Sequence, residues 1–123
     1  GLSYPLSINF HIPHGHANAL VMCGVFTFNL SAAAPLYAEL AHAVMPSQTL
    51  GMTDLEAASL FIKQLKIFLE TSGLKYRLNE LDITDQDIPA LADIVINTYA
   101  RLIATNPKDM TLNEVTAIYE EIL

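Results

Sequence analysis

The sequence predicts an all-α domain of about six or seven helices. Three observations carry that prediction. Apolar residues recur with helical spacing from Glu39 onward, two Thr-x-x-Glu capping boxes stand at the heads of such stretches, and no segment alternates apolar and polar residues long enough for a sheet. The chain has 123 residues, room for one domain, and is 52% apolar and 15% charged, so material for a core is ample and disorder is excluded.

Residues 2 to 10 read as a short helix. His16 to Leu30 reads as a buried one, its entry set by Pro13 and Gly15, and Tyr37, Leu40, Ala41 and Val44 mark another short helix between Pro35 and Pro46. Thr53 and Glu56 form a capping box, after which Ala58, Phe61, Leu65, Phe68 and Leu69 share a face until Ser72-Gly73 ends the helix. Ile88, Leu91, Ala92, Val95, Tyr99, Leu102 and Ile103 form the next stripe, capped by Thr84 or Asp87. Asn106-Pro107 breaks the chain. Thr111 and Glu114 cap the closing helix, whose stripe is Leu112, Val115, Ile118, Tyr119 and Ile122.

Charge narrows the partners. Six Lys and Arg against thirteen Asp and Glu give a net charge of −7, which repels a phosphate backbone and argues against nucleic acid. One cysteine, Cys23, cannot form an internal disulfide and suits a reducing compartment, so the expected location is the cytoplasm. Residues 1 to 38 contain no Asp, Glu, Lys or Arg. The apolar run from Ala17 to Leu30 is interrupted by Asn18, Gly24, Thr27 and Asn29, a poor fit to a bilayer span, so no membrane is expected. Burial explains the missing charges better, in this domain's core or against protein outside the chain. The chain reads as a piece of something larger.

Chemistry is sparse. His11, His14 and His16 cluster in HIPHGHAN, and imidazole in so apolar a segment is either hydrogen-bonded as a neutral ring or held by a metal. The spacing matches no zinc motif, and no nearby Cys, Asp or Glu completes a coordination sphere, so packing or surface histidines are the default. His42 has no converging partner. Cys23 has no basic neighbour in sequence and reads as a packing residue. Asp85 and Asp87 read as a helix-start charge pair. Gly-rich phosphate loops, G-x-S-x-G and H-E-x-x-H are absent.

Ser3-Tyr4-Pro5-Leu6, then His11-Ile12-Pro13-His14-Gly15-His16-Ala17-Asn18-Ala19-Leu20, then Phe28-Asn29, resembles the C-terminal domain of the iron-containing alcohol dehydrogenases. The closing Asn106-Pro107-Lys108 with Thr111, Glu114, Val115 and Tyr119 is similar to that family's C-terminus, so the resemblance runs from Gly1 to Leu123. It implies the all-α C-terminal half, residues 1–123, of a dehydroquinate-synthase-like two-domain enzyme whose nucleotide-binding domain lies outside this chain. The implied activity is an NAD- or NADP-linked alcohol dehydrogenase or aldehyde reductase acting on a small alcohol or aldehyde.

The family holds a divalent metal, iron or zinc, with an aspartate and a histidine four residues apart and two later histidines fourteen apart. His14 matches the last of these, and its partner falls immediately before Gly1. The resemblance therefore implies one metal ligand of four here. Many members carry a histidine near the nicotinamide where this chain has Tyr4, which can donate a hydrogen bond but does not relay protons near neutrality as imidazole does. The Ser-Tyr-Pro variant resembles a branch that includes phosphonoacetaldehyde reductases. Cys23-Gly24 replaces a frequent Pro-His, a departure that bears on packing. Without the resemblance, the residues suit a stand-alone or degenerate helical interaction module, its apolar N-terminal third docked on a partner or on a second copy in a homodimer.

Overall fold

The computed structural model describes residues Gly1–Leu123 and contains six α-helices, one 3₁₀ turn and no strands. The helices are α1 (Ser3–Phe10), α2 (His14–Val44), α3 (Asp54–Thr71), α4 (Ile88–Thr98), α5 (Ala100–Ile103) and α6 (Leu112–Glu121), with the 3₁₀ turn at Leu78–Leu81 between α3 and α4.

The organising element is α2. At 31 residues it spans about 46 Å, and the expectation of two helices separated at Pro35 is corrected: the helix runs through that proline. Proline removes one amide donor and crowds the carbonyl four residues earlier, that of Ser31. Ser31 is exposed, so water can satisfy that carbonyl, while Ala33, Tyr37, Ala38 and Ala41 are buried along the same stretch. Their packing against α3 offsets the lost bond. The partners on α3 are Ala57, Ala58 and Ile62, and alanines on both helices allow a close antiparallel approach.

The turn joining these helices is pinned from inside. Thr49 donates its hydroxyl hydrogen to the Met45 carbonyl at 2.7 Å and accepts from Nδ1 of His42 at 2.8 Å. Gly51 takes a left-handed φ of 78° there, a conformation costly for a residue with Cβ. Thr53 then caps α3 with a complete capping box.

The main core forms where the N-terminal half of α2 meets α1, α4, α6 and the 3₁₀ turn. Leu6, Leu20, Leu78, Ile83, Ile88, Leu91, Val95 and Val115 are all but inaccessible. Each such side chain contributes roughly 1.5–3 kcal/mol by leaving water. α2 is long and apolar enough to cross a bilayer. Its N-terminal half packs on the main core and its C-terminal half on α3, while Leu36, Leu40 and Val44 stay exposed.

Two further expectations change. The stripe from Ile88 to Ile103 is not one helix, because Tyr99 (φ −108°, ψ 24°) interrupts it and α5 restarts at Ala100. Asp87 does not cap α4 with its side chain; its carboxylate accepts the Thr84 amide at 2.8 Å and the Thr84 hydroxyl at 3.2 Å, closing the preceding turn. The second capping box, Thr111 with Glu114, stands at the head of α6 as expected.

Candidate functional site

The sequence brings α1 and α2 together through a tight reversal. α1 ends at His11 in a left-handed conformation (φ 56°), Ile12 is buried, and extended Pro13 (ψ 139°) directs the chain into α2. His14 is thereby the first residue of α2 and lies against Tyr4 of α1, ring centroids 5.2 Å apart at 34°. Tyr4 in turn stacks on Tyr99, centroids 5.2 Å apart at 15°. One turn along α2, the Asn18 amide donates to Nε2 of His14 at 3.3 Å. With the amide donating, the Nε2 lone pair is engaged by Asn18, so a metal at that nitrogen would have to displace the amide.

Beside this cluster a cavity of about 300 Å³ opens between Gly1–Ser3, one face of α2 and the segment from Leu102 to Met110. Asn18 lines it, so the cavity adjoins the His14 cluster. Its walls are tied to the core. The Tyr119 hydroxyl donates to the Leu2 carbonyl at 2.5 Å, fixing the chain's entry to α1. Asn29 and Asn106 exchange amide hydrogen bonds of 2.8 and 2.6 Å, and Lys108 donates to the Phe28 carbonyl at 3.1 Å while lying 4.3 Å over the Phe28 ring.

The other candidates scatter. His11 is an exposed helix terminus. His16 donates from Nε2 to the Lys75 carbonyl at 2.6 Å, and His42 holds the Thr49 turn. Cys23 is buried, and burial pushes its thiol above the usual range, as suits a packing residue. No three His, Cys, Asp or Glu side chains gather into a metal group within this chain. His14 has no two further His, Cys, Asp or Glu side chains beside it with which to hold a metal within this chain. Sequence reading missed Asn18 as a partner of His14, although the four-residue spacing signals it. It also missed Tyr99, taken for part of a continuous stripe, for which no local signal exists.

With this geometry in place, the comparison with known proteins decides the family. The profile described as "Fe-containing alcohol dehydrogenase family, C-terminal" matches residues 1–123. The chain belongs to the iron-containing alcohol dehydrogenase family. Among its relatives in that family is lactaldehyde reductase of Escherichia coli (strain K12), 27% identical over 119 residues, 97% of this chain and 30% of the relative. The 1,3-propanediol dehydrogenase of Klebsiella pneumoniae is 25% identical over 120 residues, 98% of this chain and 30% of the relative.

Solved structures agree. The alcohol dehydrogenase from Oenococcus oeni superposes with a TM-score of 0.85 at 25% identity, covering 99% of this chain and 31% of that one. A 1,3-propanediol oxidoreductase gives 0.81 at 25% identity, covering 99% and 31%. The chain thus spans about 30% of the length of the curated iron-containing dehydrogenases it matches. Its all-helical fold is that of the family's C-terminal region.

Proposed function

We propose that this chain is the metal-side domain of an NAD- or NADP-linked alcohol dehydrogenase or aldehyde reductase, completed by a nucleotide-binding domain outside it. The observation that carries the reading is His14. It stands at the head of α2, exposed, with the Asn18 amide 3.3 Å from its Nε2 and a mainly apolar cavity lined by that same Asn18. In this reading His14 is one ligand to a divalent metal, iron or zinc, and the rest of the coordination sphere comes from other parts of the polypeptide.

A divalent metal held there would supply Lewis-acid polarisation of a substrate oxygen, and a nicotinamide held by the other domain would supply or accept the hydride. The chain's own groups orient and exclude. Asn18 holds the His14 ring until a metal takes its place at Nε2, Tyr4 packs against that ring and offers its hydroxyl as a hydrogen-bond donor, and the cavity's aliphatic wall sheds water from the substrate side. The cavity suits a small alcohol or aldehyde. Lactaldehyde and 1,3-propanediol, named for two of the relatives, belong to that class, and the resemblance of Ser3-Tyr4-Pro5 to a phosphonoacetaldehyde-reductase branch adds a phosphonoacetaldehyde-type substrate as a candidate.

The test is metal-dependent NADH or NADPH oxidation with small aldehydes by a polypeptide extended upstream with a nucleotide-binding domain. Activity there, its loss with His14→Ala, and no stoichiometric tight iron or zinc in residues 1–123 alone are the expected results. Tight metal uptake by residues 1–123 alone, or full activity of His14→Ala, would overturn the reading.

An exposed apolar stripe favours a second reading, a docking module. Leu36, Leu40 and Val44 follow one another at helical spacing on α2 and are 63%, 46% and 64% exposed. A concentration-dependent dimer of residues 1–123, broken by Leu40→Glu, would support it.

A further inference from the structure

We propose that Tyr99 is a positioning residue that fixes Tyr4, and through it the ring of His14; this rests on the reading of Tyr4 and His14 as site residues. The inference starts from the interruption of the α4 stripe. Ile88, Leu91 and Val95 are fully buried on one face, and Tyr99 continues their spacing, yet it is only half-buried and α4 stops one residue before it.

The backbone explains the change of role. The Tyr99 amide still bonds to the Val95 carbonyl at 3.2 Å, while its own carbonyl accepts from Leu102 and Ile103 to start α5. Tyr99 is therefore anchored on both sides, a rigid joint between two helical pieces. From that joint its ring lies nearly parallel to Tyr4, at 15°, whereas Tyr4 meets His14 at a tilt of 34°. Tyr4 is 38% exposed and sits on an eight-residue helix, so packing within α1 alone does not immobilise it. The two rings flanking it do. Offset stacking of this kind holds an aromatic side chain in one orientation beyond what its buried area provides.

The row Tyr99–Tyr4–His14 thus couples the α4–α5 joint to the candidate ligand. Removing the first ring frees the second, and the third then loses the face against which it rests. Tyr99→Phe keeps the stacking surface and loses only a hydroxyl, so it preserves the effect; Tyr99→Leu keeps bulk and loses the stack.

The test has two arms. In NMR spectra of residues 1–123, the Tyr99–Tyr4 and Tyr4–His14 ring protons are expected to show mutual NOEs, with His14 ring protons displaced by the Tyr4 ring current. Both signatures are expected to survive in Tyr99→Phe and to collapse in Tyr99→Leu while amide shifts elsewhere hold. Persistence of the Tyr4–His14 NOEs in Tyr99→Leu would overturn the proposal. So would their absence in the unsubstituted protein, which needs no variant to fold.

The second arm uses the upstream-extended enzyme. Tyr99→Leu is expected to lower kcat about two- to tenfold with KM changed less, and Tyr99→Phe to restore it. Equal losses in both variants would assign Tyr99 a merely structural part and overturn the proposal. If the unsubstituted enzyme shows no metal-dependent turnover, the dehydrogenase reading fails, while the NMR arm still decides whether Tyr99 positions Tyr4.

Discussion

Asn29 of α2 and Asn106 of the loop before α6 face each other as a reciprocal amide pair, each donating to the other's carbonyl oxygen at 2.8 and 2.6 Å. They are 77 residues apart in the chain, and Asn29 is buried. Asn106 also donates to the Lys108 carbonyl, and Lys108 reaches back to Phe28, so two short motifs from opposite ends of the sequence, Phe28-Asn29 and Asn106-Pro107-Lys108, form one clasp. Through it the cavity wall beside His14 is tied to the core.

Breaking that clasp leaves a buried amide without its partner, which costs about 1–3 kcal/mol. Asn29→Ala and Asn106→Ala are each expected to lose that much in urea unfolding. The double variant should lose less than the sum, because the second truncation removes the group the first one stranded. Strict additivity would mean the pair does not act as a unit.

Tyr119→Phe removes a buried hydroxyl and strands the Leu2 carbonyl, an expected loss of about 1–2 kcal/mol. The pH dependence follows from burial. Burial raises the phenols of Tyr119 and Tyr76 above their ordinary value of 10.0 and the Cys23 thiol above 9.0. The unfolded chain therefore releases these protons first, and stability present below those values is lost as pH rises beyond them. Unfolding free energy is expected to decline from about pH 9 upward, and Tyr119→Phe to flatten the part above about pH 10. A flat alkaline limb in the unsubstituted protein would contradict this account.

Gly24 allows α2 to approach α6. A Cβ at that position would lie 2.8 Å from Cγ2 of Ile118, a buried β-branched side chain with little room to rotate. Alanine gains about 1 kcal/mol of helix propensity over glycine, and overpacking costs about 1–3 kcal/mol, so Gly24→Ala is expected to destabilise on balance. Adding Ile118→Ala removes the obstacle. In that background Gly24→Ala should be stabilising, as thermal melts of the four proteins would reveal.

Thr53→Ala opens the capping box of α3. The Thr53 hydroxyl and then its backbone amide hold the Glu56 carboxyl below the ordinary range. NMR titration of Glu56 should move it upward in Thr53→Ala, and the N-terminal turn of α3 should exchange its amide hydrogens faster. An unmoved Glu56 titration would place the origin of the depression elsewhere.

The sequence by itself determined the helical class, the starts of α3 and α6, and the uneven distribution of charge. These are local matters: a capping box closes within four residues, and a stripe of apolar residues declares its own face. The chain reversal into His14 was legible for the same reason, since Pro13 and Gly15 stand beside it, whereas a ligand role for His14 came from the family resemblance alone. What only the tertiary structure decided lies where distant packing overrides local preference. Pro35 reads as a boundary, yet α2 continues because alanines on α3 reward its persistence. Tyr99 reads as one more residue of a stripe, yet the chain breaks there and its ring belongs to Tyr4. Asn29 and Asn106 each read as interruptions, and become one buried pair. In all three places the deciding partner is far away along the chain, and its free energy outweighs what adjacent residues contribute.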